Sequence, residues 1–338
     1  MKTRRIDVLT VFLWMQVHSL FAGKYANAFL EIGIGPRALA MGGAFCAVAD
    51  DGHAFYWNPA GMALLNRSRI SAMYAPQFGH IDNPLANYHF IGYVQPMPGD
   101  VVVGIQWIRL TVDKIAIYSE LEGKSFLDRL IHPELRPTGE SEGYLNDVED
   151  AYFFSFAKRN TQEVDLGWAY GRIRMDFPFG VNIKWIRQRL GDYSATGLGV
   201  DLGFMVRMHV GDVAESEKWG IFGIGMHFQD MTRTTMRWNT RHNDAVPMNL
   251  KWGISYGIPL PFQKQWFLIA FDQDTRYSGR THFGVEYQLY RKLSLRGGLD
   301  NGRFSGGMGL TMGPFEIHYA ILTHSLDTLH RIGCAVTF

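Results

Sequence analysis

Two cysteines in 338 residues exclude a disulfide-rich secreted scaffold. Charge is sparse as well. Asp, Glu, Lys and Arg make up 19% of the chain, below the usual quarter, and they nearly cancel to a formal net charge of +1. That balance gives no electrostatic reason to expect a nucleic-acid partner. Beyond residue 23 no apolar run is long enough to form a membrane-spanning helix. The motifs of chemistry are missing too. No GxSxG elbow is present, and the run GIGPR fails as a dinucleotide loop because Pro36 spoils its spacing. Asp50, Asp51 and His53 lie close together but do not complete a metal-ligand pattern. The chain is therefore expected not to be an enzyme, with no catalytic, cofactor-binding or metal site.

What the sequence has in quantity is glycine, at 37 residues, and aromatics, at 14%. The amino terminus has the layout of a cleaved secretory signal over residues 1–23: Lys2, Arg4 and Arg5, an apolar stretch from Val8 to Phe21, then Ala22 and Gly23. Beyond residue 66 one rhythm dominates. Met248, Leu250, Trp252, Ile254, Tyr256 and Ile258 alternate with Asn249, Lys251, Gly253, Ser255 and Gly257. Leu293, Leu295, Gly297 and Leu299 alternate with Ser294, Arg296, Gly298 and Asp300 in the same way. Period two means strands with one apolar face and one polar or glycine face. A soluble sandwich would put mostly Lys, Glu, Thr and Ser on the second face. Glycine with scattered charges there, opposite a face of Trp, Tyr, Phe, Leu and Ile, fits an all-β transmembrane antiparallel barrel. Its apolar side would meet lipid and its polar side the lumen.

Fifteen stretches carry the strand pattern, but bacterial barrels close on even numbers, so fourteen strands are expected. The segment most open to miscounting is 150–188, where strands are read at 150–158, 164–171 and 177–188. Residues 67–338 form the barrel in this reading, with a long outer loop at 113–149. That loop contains a short amphipathic helical pattern and an acidic stretch, and serves either as a solvated rim insertion or as a lid or docking element. The chain closes on LHRIGCAVTF, with Ile332, Cys334, Val336 and Phe338 on one face. A strand ending on Phe338 resembles the assembly signal of bacterial outer-membrane barrels. By parity Cys334 faces lipid, so no disulfide with Cys46 is expected. Lys184, Lys251, Arg296 and Arg331 fall on lumen positions. They could draw a ligand carboxylate, or they could be neutralised by Asp201, Asp300 or Glu316.

Residues 24–66 read as a compact segment ahead of the strands, suited to filling a lumen. Gly42 and Gly43 allow close backbone approach, and Pro59 restricts Asn58 to extended or turn geometry. The run GPRALAMGGAFCAVADDGHAFYWNPAGMALL resembles the amino-terminal signature of FadL-like outer-membrane proteins, and most of all their PorV/PorQ branch. The resemblance implies a fourteen-stranded barrel closed by an amino-terminal hatch in the lumen, with Gly42, Gly43, Asp50, Asn58, Pro59 and Ala60 in the gating region. It implies a bacterial outer-membrane location, with membrane lipids and the barrel-assembly machinery as partners and no cofactor. Two functions follow from it: passive transport of small hydrophobic molecules such as fatty acids through a greasy pocket, or a type IX secretion component that binds or shuttles cargo proteins.

Overall fold

The computed structural model describes residues 27–80, 83–118, 130–132, 140–165, 167, 171–213, 219–260, 264–276 and 279–338. The expected signal segment lies outside them, as does most of the helical pattern expected near residue 125.

The chain forms strands β1 (Arg69–His80), β2 (Asn83–Met97), β3 (Val101–Ile117), β4 (Gly143–Lys158), β5 (Thr161–Asp165) and β6 (Arg172–Asp176). It continues with β7 (Phe179–Leu190), β8 (Tyr193–His209), β9 (Ile221–Gln229), β10 (Thr235–Trp238), β11 (Asn243–Ala245) and β12 (Asn249–Leu260). The last six are β13 (Gln265–Asp274), β14 (Thr281–Leu289), β15 (Leu293–Asp300), β16 (Arg303–Met312), β17 (Phe315–Thr323) and β18 (Thr328–Thr337).

Fourteen of these make one closed antiparallel ring, β1-β2-β3-β4-β7-β8-β9-β12-β13-β14-β15-β16-β17-β18, sealed by β18 on β1 from Arg69↔Thr337 to Tyr74↔Ile332. Closure leaves no sheet edge to meet hydrocarbon. The remaining four form two hairpins at the rims. The strand expected at 164–171 is not a ring strand. β4 pairs directly with β7 along its length, from Asp147↔Leu190 to Lys158↔Phe179, so β5 and β6 pair with each other beside the ring. On the opposite rim β10 and β11 extend the β9–β12 connection. The expected loop at 113–149 is also shorter than its sequence suggests. β3 and β4 stay paired out to Ile117↔Gly143, with a register shift between Val112 and Ile115.

The two faces follow the period-two pattern. Along β12, Asn249, Lys251, Gly253, Ser255 and Gly257 are buried inward, while Trp252 and Ile254 are exposed outward. Outward aromatics line up across strands: Trp107 stacks on Tyr152, and Tyr152 on Trp185, with centroids 6.5 and 5.4 Å apart. One step further along the same face, Arg109 is held by Asp150 at 2.7 Å. An aromatic row followed by charge is what a strand presents where hydrocarbon gives way to water. Among the described residues no helix is long and apolar enough to cross a membrane. Cys46 is buried, Cys334 exposed on the outer face, and both are free thiols, as parity predicts.

Candidate functional site

Residues 27–66 run as short turns, not regular layers: a 3-10 turn at Ala28–Glu31, α1 (Pro36–Ala40), α2 (Ala54–Trp57) and a second 3-10 turn at Pro59–Leu64. Proline stands at the first position of α1 and of the second 3-10 turn, where a missing N–H costs nothing. From Ile34 to Ala63 almost every side chain is buried. What buries them is the inner face of the barrel, contacted from all round the ring. Phe55 packs against Phe90 of β2 and Phe153 of β4. Cys46 and Phe45 donate their backbone N–H groups to Asp272 of β13 at 2.6 and 2.7 Å. Arg37 reaches Glu286 of β14 through two nitrogens, at 2.8 and 2.9 Å.

The inward glycines are the seats of this segment. A methyl group built on Gly225 would lie 2.2 Å from the Cys46 carbonyl oxygen, one on Gly180 2.4 Å from Pro59, and one on Gly298 2.2 Å from the Gly42 nitrogen. Gly284 meets the Met41 carbonyl in the same way, while Gly203 and Gly307 face the side chains of Asn58 and Ala40. At Gly180, Gly225, Gly284 and Gly298 the contact is backbone to backbone, closer than any side chain allows. These glycines were visible in the sequence as one face of each strand. Their role was not legible, because nothing local says what fills the lumen.

The residues singled out from the sequence fall as follows. Gly42 and Gly43 both adopt positive φ, 65° and 79°, and the Gly42 carbonyl lies 2.8 Å from His282 Nδ1. Asp50 accepts from Arg37 at 2.5 Å. Asn58, fully buried, donates through Nδ2 to the carbonyls of Cys46 (2.9 Å) and Phe204 (3.1 Å) and accepts from Ala60 N–H at 3.1 Å. It thereby caps the Pro59–Leu64 turn and ties it to β8. Pro59 and Ala60 sit against Gly180 and Gly203. Phe338 stacks on Tyr93 on the outer surface and donates its N–H to Ser68.

The four inward cations differ in their surroundings. Lys184 lies between Asp201 (2.8 Å) and Asp230 (2.7 Å), and Arg296 is 2.6 Å from Glu286. Arg331 is held by the carbonyls of Pro76 and His330 and by Gln77. Lys251 sits with its ammonium 4.9 Å from the centre of the Trp57 ring and makes no ion pair among the described residues. Of the acids expected to neutralise these four, only Asp201 does so. Glu316 pairs with Arg69 and Asp300 with His282.

Electrostatics hold the segment down. Burial disfavours the Arg37 guanidinium, but Asp50 and Glu286 outweigh it and raise its pKa further. Burial likewise opposes ionisation of Asp51, yet His53, Arg37 and Arg69 keep its carboxyl far below the usual range. Burial pushes the Cys46 thiol well up, so it is a poor nucleophile while enclosed.

Two cavities flank residues 27–66. One, of about 130 Å³, is lined by Asn27, Leu30, Gly33, Tyr56 and Trp57 and by the strand ends at Asn249, Lys251 and His282. The other, of about 1040 Å³, is lined by Arg37, Asp50 and Asp51 and by the opposite ends of the same strands, Ser255, Gly257 and Gln288 among them. The two spaces thus lie on opposite sides of the segment. Neither space is uniformly greasy: Asp230, Asp274 and Arg276 line the smaller, Arg69 and Glu316 the larger.

No protein-family model matches the sequence, and no curated protein does. Solved structures do. The Pseudomonas putida toluene transporter TodX superposes with a TM-score of 0.51 at 10% identity, over 90% of this chain and 97% of that one. A TodX variant described as a monoaromatic hydrocarbon channel superposes at 0.52, with 11% identity over 90% and 98%. At such identity the likeness is one of fold: a closed fourteen-stranded antiparallel barrel.

Proposed function

We propose that the protein is an outer-membrane barrel of the FadL-like type that passes small hydrophobic molecules passively, with residues 27–66 as a hatch between an outer and an inner chamber. The observation that carries this is a segment belonging to no strand, packed against the inner face of one closed ring with a cavity on either side of it. The longest connection in the ring, residues 118–142, marks the rim of the smaller cavity as the outer one, since outer loops are long and inner turns short. A molecule would enter there and pass when the hatch shifts. Fatty acids belong to the substrate class, though a chamber of about 130 Å³ holds a long acyl chain only in part. Uptake of radiolabelled toluene and palmitate into cells with and without the chain tests the reading. Faster uptake of either is expected, and equal rates for both would overturn it.

A second reading rests on the β3–β4 arm, which stays paired to Ile117↔Gly143, well past the aromatic row at Trp107. Such an arm suits docking of a secreted cargo, as the PorV/PorQ resemblance suggests. Co-purification of exported proteins that is lost when residues 113–147 are shortened would favour it over transport.

A further inference from the structure

We infer that the outer cavity binds a small monocarboxylate no bulkier than one ring, with the Lys251 ammonium as its counter-ion and the Trp57 indole as its apolar wall. This rests on the transport reading above and narrows its cargo.

The first support is charge. Lys184 and Arg276, which line the same cavity, each lie against carboxylates: Lys184 against Asp201 and Asp230, Arg276 against Glu31 and Asp230. Lys251 is only 6% exposed, and no carboxylate among the described residues lies in salt-bridge contact with it. Asp272 and Asp300 feel its charge only from a distance. Asp272 spends one oxygen on the N–H groups of Phe45 and Cys46, and its other oxygen has no partner among the described residues. Asp274 and Asp300 both face His282. An ammonium withdrawn from bulk water without an anion in contact is costly, and more distant carboxylates and a face of one aromatic ring offset only part of that. A carboxylate entering the cavity would complete the pair.

The second support is size. An apolar cavity of about 150 Å³ accommodates benzene, so about 130 Å³ is room for one ring or a short chain. Leu30, Ile32, Leu39 and Leu322 supply the remaining apolar wall, and Trp57 is fixed by its Nε1–H donating to the Ile34 carbonyl at 2.9 Å. A long acyl chain exceeds this space unless the hatch moves.

Titration calorimetry on the full chain in detergent tests this with benzoate, with toluene as the uncharged ring and palmitate as the long chain. Wild type is expected to bind benzoate, and palmitate not to displace it. Lys251→Met should weaken benzoate at least about tenfold, leaving toluene unchanged, and Lys251→Arg should restore most of the loss. Heat-modifiable migration on gels verifies that each variant is folded. Benzoate binding that is absent, or insensitive to Lys251→Met, or displaced by palmitate, overturns the inference while cellular uptake of toluene would leave the transport reading standing. Benzoate binding that needs Lys251, with no uptake of any probe by cells, would support the site and remove transport as its purpose.

Discussion

Replacing Arg37 by Gln removes the guanidinium that joins the proposed hatch to the barrel wall. In the wild type it donates to both oxygens of Glu286 and to Asp50. Its loss would leave Glu286 with Arg296 alone and Asp50 and Asp51 without their shared cation. Breaking a buried ion pair by removing one partner typically costs about 3–5 kcal/mol. Because Arg296 still neutralises Glu286, the lower end applies, and about 3 kcal/mol corresponds to roughly a hundredfold in the hatch-opening equilibrium. The assay is alkylation of Cys46 in a Cys334→Ser background. Cys46 is enclosed and its thiol pKa is raised by burial, so reaction waits on opening and its rate follows the open fraction. Arg37→Gln should react roughly a hundred times faster than the parent, and Glu286→Gln several times faster. An Arg37→Gln rate within about twofold of the parent would refute the reasoning, since the hatch would then be held by packing alone.

Asn58→Ala removes four hydrogen bonds, the weakest of them to Cys46 Sγ, and leaves the Cys46 carbonyl without its side-chain donor, which at about 1 kcal/mol each should lower stability by about 2–4 kcal/mol, readable as a drop in melting temperature. Gly298→Val puts a branched side chain where even a methyl meets the backbone of Met41 and Gly42 at 2.2 Å, so the barrel should still fold while Cys46 becomes reactive. Acid should loosen the hatch. The Asp51 carboxyl is held far below its unfolded value of about 3.9, so its contribution is present above that pH and fades as pH falls through it. The gap in melting temperature between wild type and Asp51→Asn should accordingly narrow from pH 6 to pH 3, and a constant gap would contradict the role of its charge.

Alternation alone made the barrel legible. β12, β15 and β18 carry one apolar side chain in two, and even-number closure corrected the surplus strand in the 150–188 region. The surplus strand, read at 164–171, shares only Val164 and Asp165 with β5, and what keeps that region out of the ring is the long register of β4 on β7, which no local pattern reveals. The extension of β3 and β4 into the supposed loop was hidden for a related reason: polar and acidic residues there read as solvent-exposed chain, yet they still pair. Within the hatch, the sequence marked Asn58 and Gly42 as special, but not which strands they would touch. Parity put Lys184, Lys251, Arg296 and Arg331 on one face, and all four are buried. Which of them lacks a contacting carboxylate depends on the left-handed turn at Asp230 and the seating of Phe45 and Cys46 on Asp272, both products of tertiary contact.

Conductance in a planar lipid bilayer tests the central claim most directly, by comparing the full chain with one lacking residues 27–66. A lipid-embedded ring stoppered from within predicts an almost silent full chain and large stepwise currents from the shortened one. Equal steady currents from both would mean the segment does not obstruct the lumen, and failure of either to enter the bilayer would mean the apolar outer face is not a lipid-facing surface.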